Sequence, residues 1–308
     1  MERNEVDVKA MGGTELMGAG LERHVDPQLL SKFQIIRSRV RELDPARQQI
    51  LWLHDLPEDP ESEHLRDPAS RGRFKKIVMV SNWQMQQYNN YLGVPYSDCV
   101  VLKNAIVPIT NIDKRGDKIR LIYHSTPHRG LQILVPVFER LCDFHADLEL
   151  DVFSSFKLYG WEERDEQFEP IIQRCKAHPK INYHGAQPNE VVREAVAKAH
   201  IFAYPSIWRE TSCICAIEAM SAAAVIVAPN YAALPETTAG FAVMYQWDED
   251  MQRHATVFFN QLNNAIVAWQ EQRETLGEHL AAQKQYADNM YSWQRRAFEW
   301  TNFLRNIE

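Results

Sequence analysis

The sequence lacks a long apolar run. No stretch of its 308 residues reaches the roughly 18 consecutive apolar residues that a membrane-spanning helix requires. The first ten residues, MERNEVDVKA, also lack the apolar core of a secretory signal. From these two absences we expect no membrane span and a cytoplasmic location.

Cysteine is scarce: there are five, and none belongs to a CxxC pair of the kind that holds zinc. Cys213 and Cys215 flank a single residue, but no second Cys or His pair lies nearby in the sequence to complete a tetrahedral site. The acidic runs at 162–165 and 248–250 are typical of solvated surface. We therefore predict reduced thiols and no bound metal.

Basic residues are fewer than acidic ones. The chain has 34 Lys and Arg and 41 Asp and Glu, which gives a net charge of −7. A protein that binds nucleic acid by neutralising many phosphates usually carries the opposite excess. A basic cluster, Arg71–Lys76, precedes an apolar run and is interpreted as a solvated helix end. The charge balance therefore disfavours a nucleic-acid partner.

Short apolar runs alternate with longer amphipathic segments, a pattern typical of an α/β protein with parallel sheets. Eight runs are predicted to be strands: Ile50–Leu53, Ile77–Val80, Val100–Leu102, Arg120–Tyr123, Leu148–Phe153, Ile181–Tyr183, Ile201–Ala203 and Val225–Ala228. Helices are predicted between most of them, including Leu131–Phe144, Asn189–Ala199 and Cys215–Ala222.

The length favours two domains, because a single core stops growing at about 250 to 300 residues. The polar, turn-rich segment Pro108–Lys118 separates two strand patterns, and we place the boundary within it. The C-terminal segment carries apolar residues at near-helical spacing, which predicts a packing face: Trp293, Phe298, Trp300, Phe303 and Leu304. We divide the chain into domains 1–112, 113–290 and 291–308.

The segment Ala203–Met220 carries the most chemistry. A strand ends near Ala203, a turn follows, and a helix is predicted to begin around Cys213. The unpaired N–H groups in the first turn of such a helix make a site for an anion such as a diphosphate. Glu210 in the turn and Glu218 in the helix can accept hydrogen bonds from the paired hydroxyls of a ribose or a hexose. Spacing alone favours a plainer interpretation, in which Glu210 caps the helix and Glu218 is an exposed helical residue.

This segment resembles the E-x7-E signature of retaining GT-B glycosyltransferases, the glycosyl transferases of group 1. Glu210, Glu218, Ala219 and Met220 match the signature directly. The similarity extends through much of 119–240 and, more weakly, into the first domain, over these segments: His124–Leu131, Tyr204–Ser206, Leu234–Glu236, Gly12–Glu15, His54–Asp55, Val80–Trp83 and Lys103–Ile106.

The resemblance implies a GT-B fold, in which two Rossmann-like domains with parallel sheets face each other across a cleft. Domain 1–112 would be a small or truncated acceptor-side domain, 113–290 would bind the nucleotide sugar, and 291–308 would be a helix packing back on the first domain. The implied activity is metal-independent transfer of a sugar from a UDP-, GDP- or ADP-sugar with retention of anomeric configuration. No tightly bound cofactor is implied.

The resemblance also assigns roles to matching positions. Three are catalytic: His54 would lie by the reacting sugar, Arg129 would pair with the β-phosphate, and Glu210 would contact hydroxyls of the transferred sugar. Glu218 would bind the donor ribose. The other implied donor-binding positions act through their backbone: Gly12, Gly13, Ser212, Cys213, Ile214 and Cys215.

The sequence departs from the family pattern in three places. His124-Ser125 stands where a further basic residue is usual, and Ser212-Cys213 replaces phenylalanine and glycine. Glu2–Ala10 is a poor strand, although a strand normally precedes the glycine loop. The acceptor is therefore the least defined partner, and a glycan, a lipid-linked saccharide or a protein is favoured over nucleic acid.

Three other functions fit a fold of this kind. The chain could be a non-catalytic nucleotide-sugar-binding module, a transferase acting on a modified nucleic-acid base, or a phosphorylase. The presence of Glu210, Glu218 and Arg129 disfavours a decayed module. The acidic balance disfavours the nucleic-acid acceptor, and the matching loops lack the lysine expected near a phosphorylase cofactor.

Overall fold

A computed structural model describes residues 12–308, and the stretch Glu2–Ala10 lies outside the described residues. The chain divides into two compact units. The larger unit contains Gly12, Pro108–Trp208 and Cys215–Asp288. The smaller unit contains Gly13–Val107, Arg209–Ile214 and Asn289–Glu308. The domain boundaries predicted from the sequence stay a prediction.

Each unit is built on one parallel sheet. Across residues 12–308 the strands are β1 (Phe33–Arg37), β2 (Gln48–Trp52), β3 (Lys76–Met79), β4 (Cys99–Val101), β5 (Ile119–His124), β6 (Leu148–Phe153), β7 (Ile181–Tyr183), β8 (Ile201–Ala203), β9 (Val225–Pro229) and β10 (Val243–Tyr245). The smaller unit has the order β1-β2-β3-β4, and the larger unit has the order β10-β9-β8-β5-β6-β7. All of these pairings are parallel. The prediction of an α/β fold with two parallel sheets is confirmed.

Helices follow most of the strands. They are α1 (Gly13–His24), α2 (Pro27–Leu30), α3 (Pro68–Arg71), α4 (Asn82–Leu92), α5 (Leu131–Leu141), α6 (Glu169–Ala177), α7 (Asn189–Lys198), α8 (Ile214–Ser221), α9 (Leu234–Thr238), α10 (Met251–Glu271), α11 (Arg273–Met290) and α12 (Trp293–Ile307). None of the helices within residues 12–308 combines the length and the apolar character that crossing a bilayer requires.

The sheet of the smaller unit is apolar on both faces. Side chains alternate along a strand, so Trp52 joins the core formed with α1 and α12, while its neighbour Leu51 joins the core formed with α4. A strand that is buried on both faces has a continuous run of apolar residues in the sequence. This is why β2 could be predicted. β1 and β10 were missed: β1 includes the polar residues Gln34 and Arg37, and two of the three residues of β10 are only partly buried.

Helix α12 packs on α1 through an aromatic face. Trp300 and Leu304 are fully buried in the shared core, and a Cβ on Gly20 of α1 would come within 1.9 Å of the Trp293 ring. The prediction for Phe298 is wrong, because its side chain is 67% exposed. Phe298 follows Trp293 by five residues. Because an α-helix has 3.6 residues per turn, the two side chains point in different directions and cannot share one face.

Candidate functional site

The strand order of the larger unit creates a switch point beside β5. The chain runs from β5 outward to β6 and β7, then returns to the other side of β5 to form β8. Ligands of open parallel sheets bind at such a point, outside the carboxyl ends of the strands. The loops that leave β5 and β8 carry two of the motifs found in the sequence, around Arg129 and Pro205.

These two loops pack directly on each other. Gly130 has a φ of +131°, and a Cβ there would lie 2.2 Å from the carbonyl oxygen of Pro205. The Ile207 N–H donates to the carbonyl oxygen of Arg129 at 3.3 Å. The Arg129 guanidinium lies 6.0 Å from the ring centroid of Trp208, whose side chain is 41% exposed. The loop packing thus holds the predicted phosphate-binding arginine at the switch point.

Replacing Gly130 by alanine is expected to lower the free energy of unfolding by roughly 2 to 5 kcal/mol, because it combines left-handed strain with a backbone clash. Gly240 is the matched control, since its φ is +85° and nothing lies within 4 Å of a Cβ there. Gly240→Ala should cost only about 1 kcal/mol of strain. Urea denaturation measures both, and equal losses would contradict the proposed packing.

Glu218 is buried on α8, with only 5% of its surface exposed. Its Oε1 accepts a hydrogen bond from Nη1 of Arg193 on α7 at 2.8 Å. Its Oε2 lies 3.8 Å from Nε2 of His124 at the end of β5. Burial raises the pKa of Glu218, although His124 and Arg193 act in the opposite direction. The structure therefore does not fit the reading of Glu218 as an exposed helical residue.

His124 connects β5 to α8. The Cys215 thiol donates to the carbonyl oxygen of His124 at 2.8 Å, and the imidazole is buried beside Glu218. Burial alone would lower the pKa of His124, but Cys215 and Glu218 outweigh it and the net shift is upward. A carboxylate with an arginine on one oxygen and an imidazole near the other is fixed in position. Sequence reasoning found neither partner, because nothing in the local pattern links positions 124, 193 and 218.

In the smaller unit, His54 follows β2 and is held by its backbone. Its N–H donates to Ser38 Oγ at 3.1 Å, and its carbonyl oxygen accepts from Thr211 Oγ1 at 2.7 Å. Ser81 Oγ donates to the carbonyl oxygen of Thr211 at 2.6 Å. The two bonds to Thr211 hold the segment that contains Glu210 in place. Glu210 itself is buried, with 3% of its surface exposed. His54 and the Glu210 segment are thus positioned by the same contacts.

The predicted site residues fall in both units. Arg129, Cys215 and Glu218 belong to the larger unit, together with Gly12. The others belong to the smaller unit: Gly13, His54, Glu210, Ser212, Cys213 and Ile214. Within that unit, Gly13 at the start of α1 lies close to Ile214, since a Cβ on it would be 3.1 Å from Cδ1.

Burial, reinforced by the charge of Arg37, lowers the pKa of His54 from 6.5 to about 3. In the unfolded chain the His54 imidazole is protonated as the pH falls through about 6.5. In the folded protein it is protonated only near pH 3. The contribution of His54 to stability is therefore complete above pH 6.5 and falls as the pH drops, by at most about 1.4 kcal/mol per pH unit. Urea unfolding between pH 7 and 4 should show a shallower decline for His54→Gln than for the exposed control His279→Gln. Parallel declines would contradict this assignment.

Part of the chain matches a model of a known protein family. Residues 103–242 match the family model described as glycosyl transferases group 1. The matched range contains the switch-point loops, Arg129, Glu210 and Glu218. This match supports a role in glycosyl transfer. The search of curated proteins gave no match.

Three solved structures show the same architecture. A glycosyltransferase from Rickettsia africae ESF-5 is 13% identical with a TM-score of 0.69, over 100% of this chain and 83% of that one. Anabaena HepE in complex with UDP is 14% identical with a TM-score of 0.66, over 84% and 72%. The pneumococcal O-GlcNAc transferase GtfA, in complex with UDP and GlcNAc, is 12% identical with a TM-score of 0.64, over 85% and 53%.

These identities are low, and the chain spans only about half the length of the pneumococcal protein, with 53% covered. Likeness at this level shows the fold. Together with the two parallel sheets, it confirms the predicted fold class. The chain has the two-sheet α/β fold of GT-B glycosyltransferases, and its residues 103–242 match the group 1 glycosyl transferase family.

Proposed function

We propose that the protein transfers a sugar from a nucleoside diphosphate to an acceptor with retention of anomeric configuration. The observation that carries this proposal is the buried carboxylate of Glu218 at the switch point, fixed by Arg193 at 2.8 Å. A buried carboxylate must be compensated to be kept ionised, and this one is placed where ligands of such sheets bind. It is a ready acceptor for the two hydroxyls of a ribose.

The donor contacts follow from the E-x7-E resemblance. Glu218 binds the ribose, Arg129 offers a two-pronged guanidinium to the β-phosphate, and Glu210 accepts from hydroxyls of the transferred sugar. The remaining contacts are made by backbone groups: Gly12, Gly13, Ser212, Cys213, Ile214 and Cys215. Amides in the first turn of α8 have no partner within the helix, and they suit a diphosphate.

The proposed chemistry needs stabilisation of a departing diphosphate. As the sugar–phosphate bond breaks, negative charge grows on the phosphate oxygens, and fixed donors aimed at that charge supply most of the rate. The acceptor attacks from the face that the phosphate leaves, and the departing phosphate takes the acceptor proton. No metal ion and no separate base are then required.

His54 takes part in this scheme as a neutral group. With a pKa of about 3, its ring carries no charge near neutrality and cannot act as a fixed cation beside the phosphate. A neutral imidazole still offers one N–H donor and one acceptor. We therefore assign His54 to orienting the transferred sugar by hydrogen bonding, while Arg129 supplies the positive charge.

The acceptor is proposed to be a glycan, a lipid-linked saccharide or a protein. The net charge of −7 disfavours a nucleic acid, since few phosphates could be neutralised by the surface as a whole. The cytoplasmic location stays a prediction.

A thermal-shift panel tests the donor class. The protein is heated with UDP, GDP and ADP and with the matching sugars, each at rising concentration. A ligand at 100 times its Kd adds about 2.7 kcal/mol to the free energy of unfolding. A shift with one base supports the proposal and names the donor. The absence of a shift with every nucleotide would contradict it.

A further inference from the structure

The smaller unit contains a cavity of about 480 Å³ on the α1 side of its sheet. Its polar wall and its floor include Gly18, Glu22, Gln34, Arg37, Arg47 and Trp52. Arg37 and Trp52 are direct partners in the register of β1 and β2, at the carboxyl ends of both strands. The cavity therefore runs along β1 and reaches the carboxyl ends of both strands, two residues before His54.

Arg37 is one of the two arginines that line this cavity. Its side chain is exposed and makes no hydrogen bond or ion pair within residues 12–308. The other arginine, Arg47, donates from Nε to Asp44 at 2.7 Å. The Gln34 amide is also engaged, with the carbonyl of Glu42 and the N–H of Asp44. A ligand would thus find the Arg37 guanidinium available.

The position of the Arg37 guanidinium depends on a glycine. A Cβ on Gly18 of α1 would come within 1.6 Å of Arg37 Nη1 and 2.6 Å of Cζ. The guanidinium therefore occupies the space that a side chain at position 18 would need, and any larger residue there would displace it. Glycine favours the helix less than alanine does, so helix propensity does not account for glycine at position 18.

Two buried nitrogen atoms next to this position, on Trp52 and His54, lack partners within the described part of the chain. Trp52 is 1% exposed and lines the cavity, and its indole N–H has no acceptor. The His54 ring lies 4.8 Å from the Trp52 ring, and its Nε2 is buried without a partner. Buried N–H groups without acceptors are uncommon in native proteins. The Trp52 N–H beside the Arg37 guanidinium indicates that this part of the cavity is short of acceptors.

We propose that this cavity binds the anionic group, a phosphate or a carboxylate, of the acceptor substrate. This inference rests on the proposed glycosyl transfer, because it takes the ligand next to His54 as the second substrate. An arginine fork matches both anions in geometry and charge. Glu22 on α1 also lines the cavity, and its carboxylate can accept from hydroxyls, which suits an acidic sugar rather than a bare ion.

The test is a calorimetric titration of the whole chain with hexose 6-phosphate, hexuronate and neutral hexose. We expect saturable binding of one or both acidic sugars and none of the neutral one, and the difference between the acidic two identifies the anion. Arg37→Gln should weaken binding at least tenfold. Gly18→Ala should weaken it too, because it keeps the charge but displaces the guanidinium.

Two further variants separate this site from the donor site. Arg23→Gln, an exposed arginine at the end of α1, should bind the acidic sugar like the wild type. Arg129→Gln should also bind it normally, because Arg37 holds the anionic group of the acidic sugar. Binding lost in Arg129→Gln and kept in Arg37→Gln would overturn the inference, as would equal binding of acidic and neutral sugars. Nucleotide binding, measured on the same samples, reports separately on the proposed function.

Discussion

Replacing Glu218 by glutamine should weaken binding of the nucleotide at least a hundredfold. The carboxylate has Arg193 on one side and is proposed to accept from both ribose hydroxyls. Each hydrogen bond to a charged group contributes about 1.5 to 3 kcal/mol, so loss of two amounts to roughly 3 to 6 kcal/mol. Every 1.4 kcal/mol is about tenfold in Kd. Isothermal titration with the base found in the thermal-shift panel measures the effect.

The matched control for this change is Glu194→Gln on α7, one residue from Arg193 and exposed to solvent. It should leave the affinity unchanged. Glu218→Gln also leaves Arg193 facing a neutral amide, so some stability is lost, and circular dichroism must show that the variant is folded at the titration temperature. A folded Glu218→Gln protein with wild-type affinity would contradict the proposed ribose contact.

Replacing Arg129 by glutamine should lower kcat by about 10² to 10³, with a smaller change in KM. The charge on the departing diphosphate grows only in the transition state, so a donor aimed at it acts mainly on the rate. Loss of one such donor typically costs about 2.7 to 4 kcal/mol. Arg129→Lys should recover part of the rate, because lysine keeps the charge but not the two-pronged geometry. Release of the nucleoside diphosphate measures turnover.

Arg164 provides a close control for Arg129. It lies in the same unit with its guanidinium 4.2 Å from the ring of Trp161, as Arg129 lies by Trp208. Arg164→Gln removes the same charge and the same kind of ring contact, yet should leave kcat unchanged. Equal losses in the two variants, or an effect of Arg129→Gln confined to KM, would contradict the phosphate assignment.

The sequence predicted the interior strands of both sheets and one edge strand of each, β4 and β7, but it missed the other two edge strands, β1 and β10. Strands such as β2 and β9 are buried on both faces and appear as continuous apolar runs. β1 has polar residues within it, and β10 has three residues of which two are only partly buried. These two segments therefore carried no pattern that separates a strand from a loop.

The site was predicted in part. The eight-residue spacing of Glu210 and Glu218 is local and can be read directly. Arg193 and His124 reach Glu218 only because β5 and β8 are neighbours at the switch point, a consequence of strand order. The attachment of the segment Arg209–Ile214 to His54 and Ser81 is equally remote in sequence. No local pattern encodes such contacts.

The most direct test of the central claim follows the nucleotide sugar by phosphorus and proton NMR as the protein turns it over. The account predicts that nucleoside diphosphate appears, that the sugar first emerges with its anomeric configuration retained, and that Glu194→Gln matches the wild type. Glu218→Gln and Arg129→Gln should be nearly inactive. Release of a sugar phosphate instead, or no conversion of any donor that binds, would contradict glycosyl transfer by this protein.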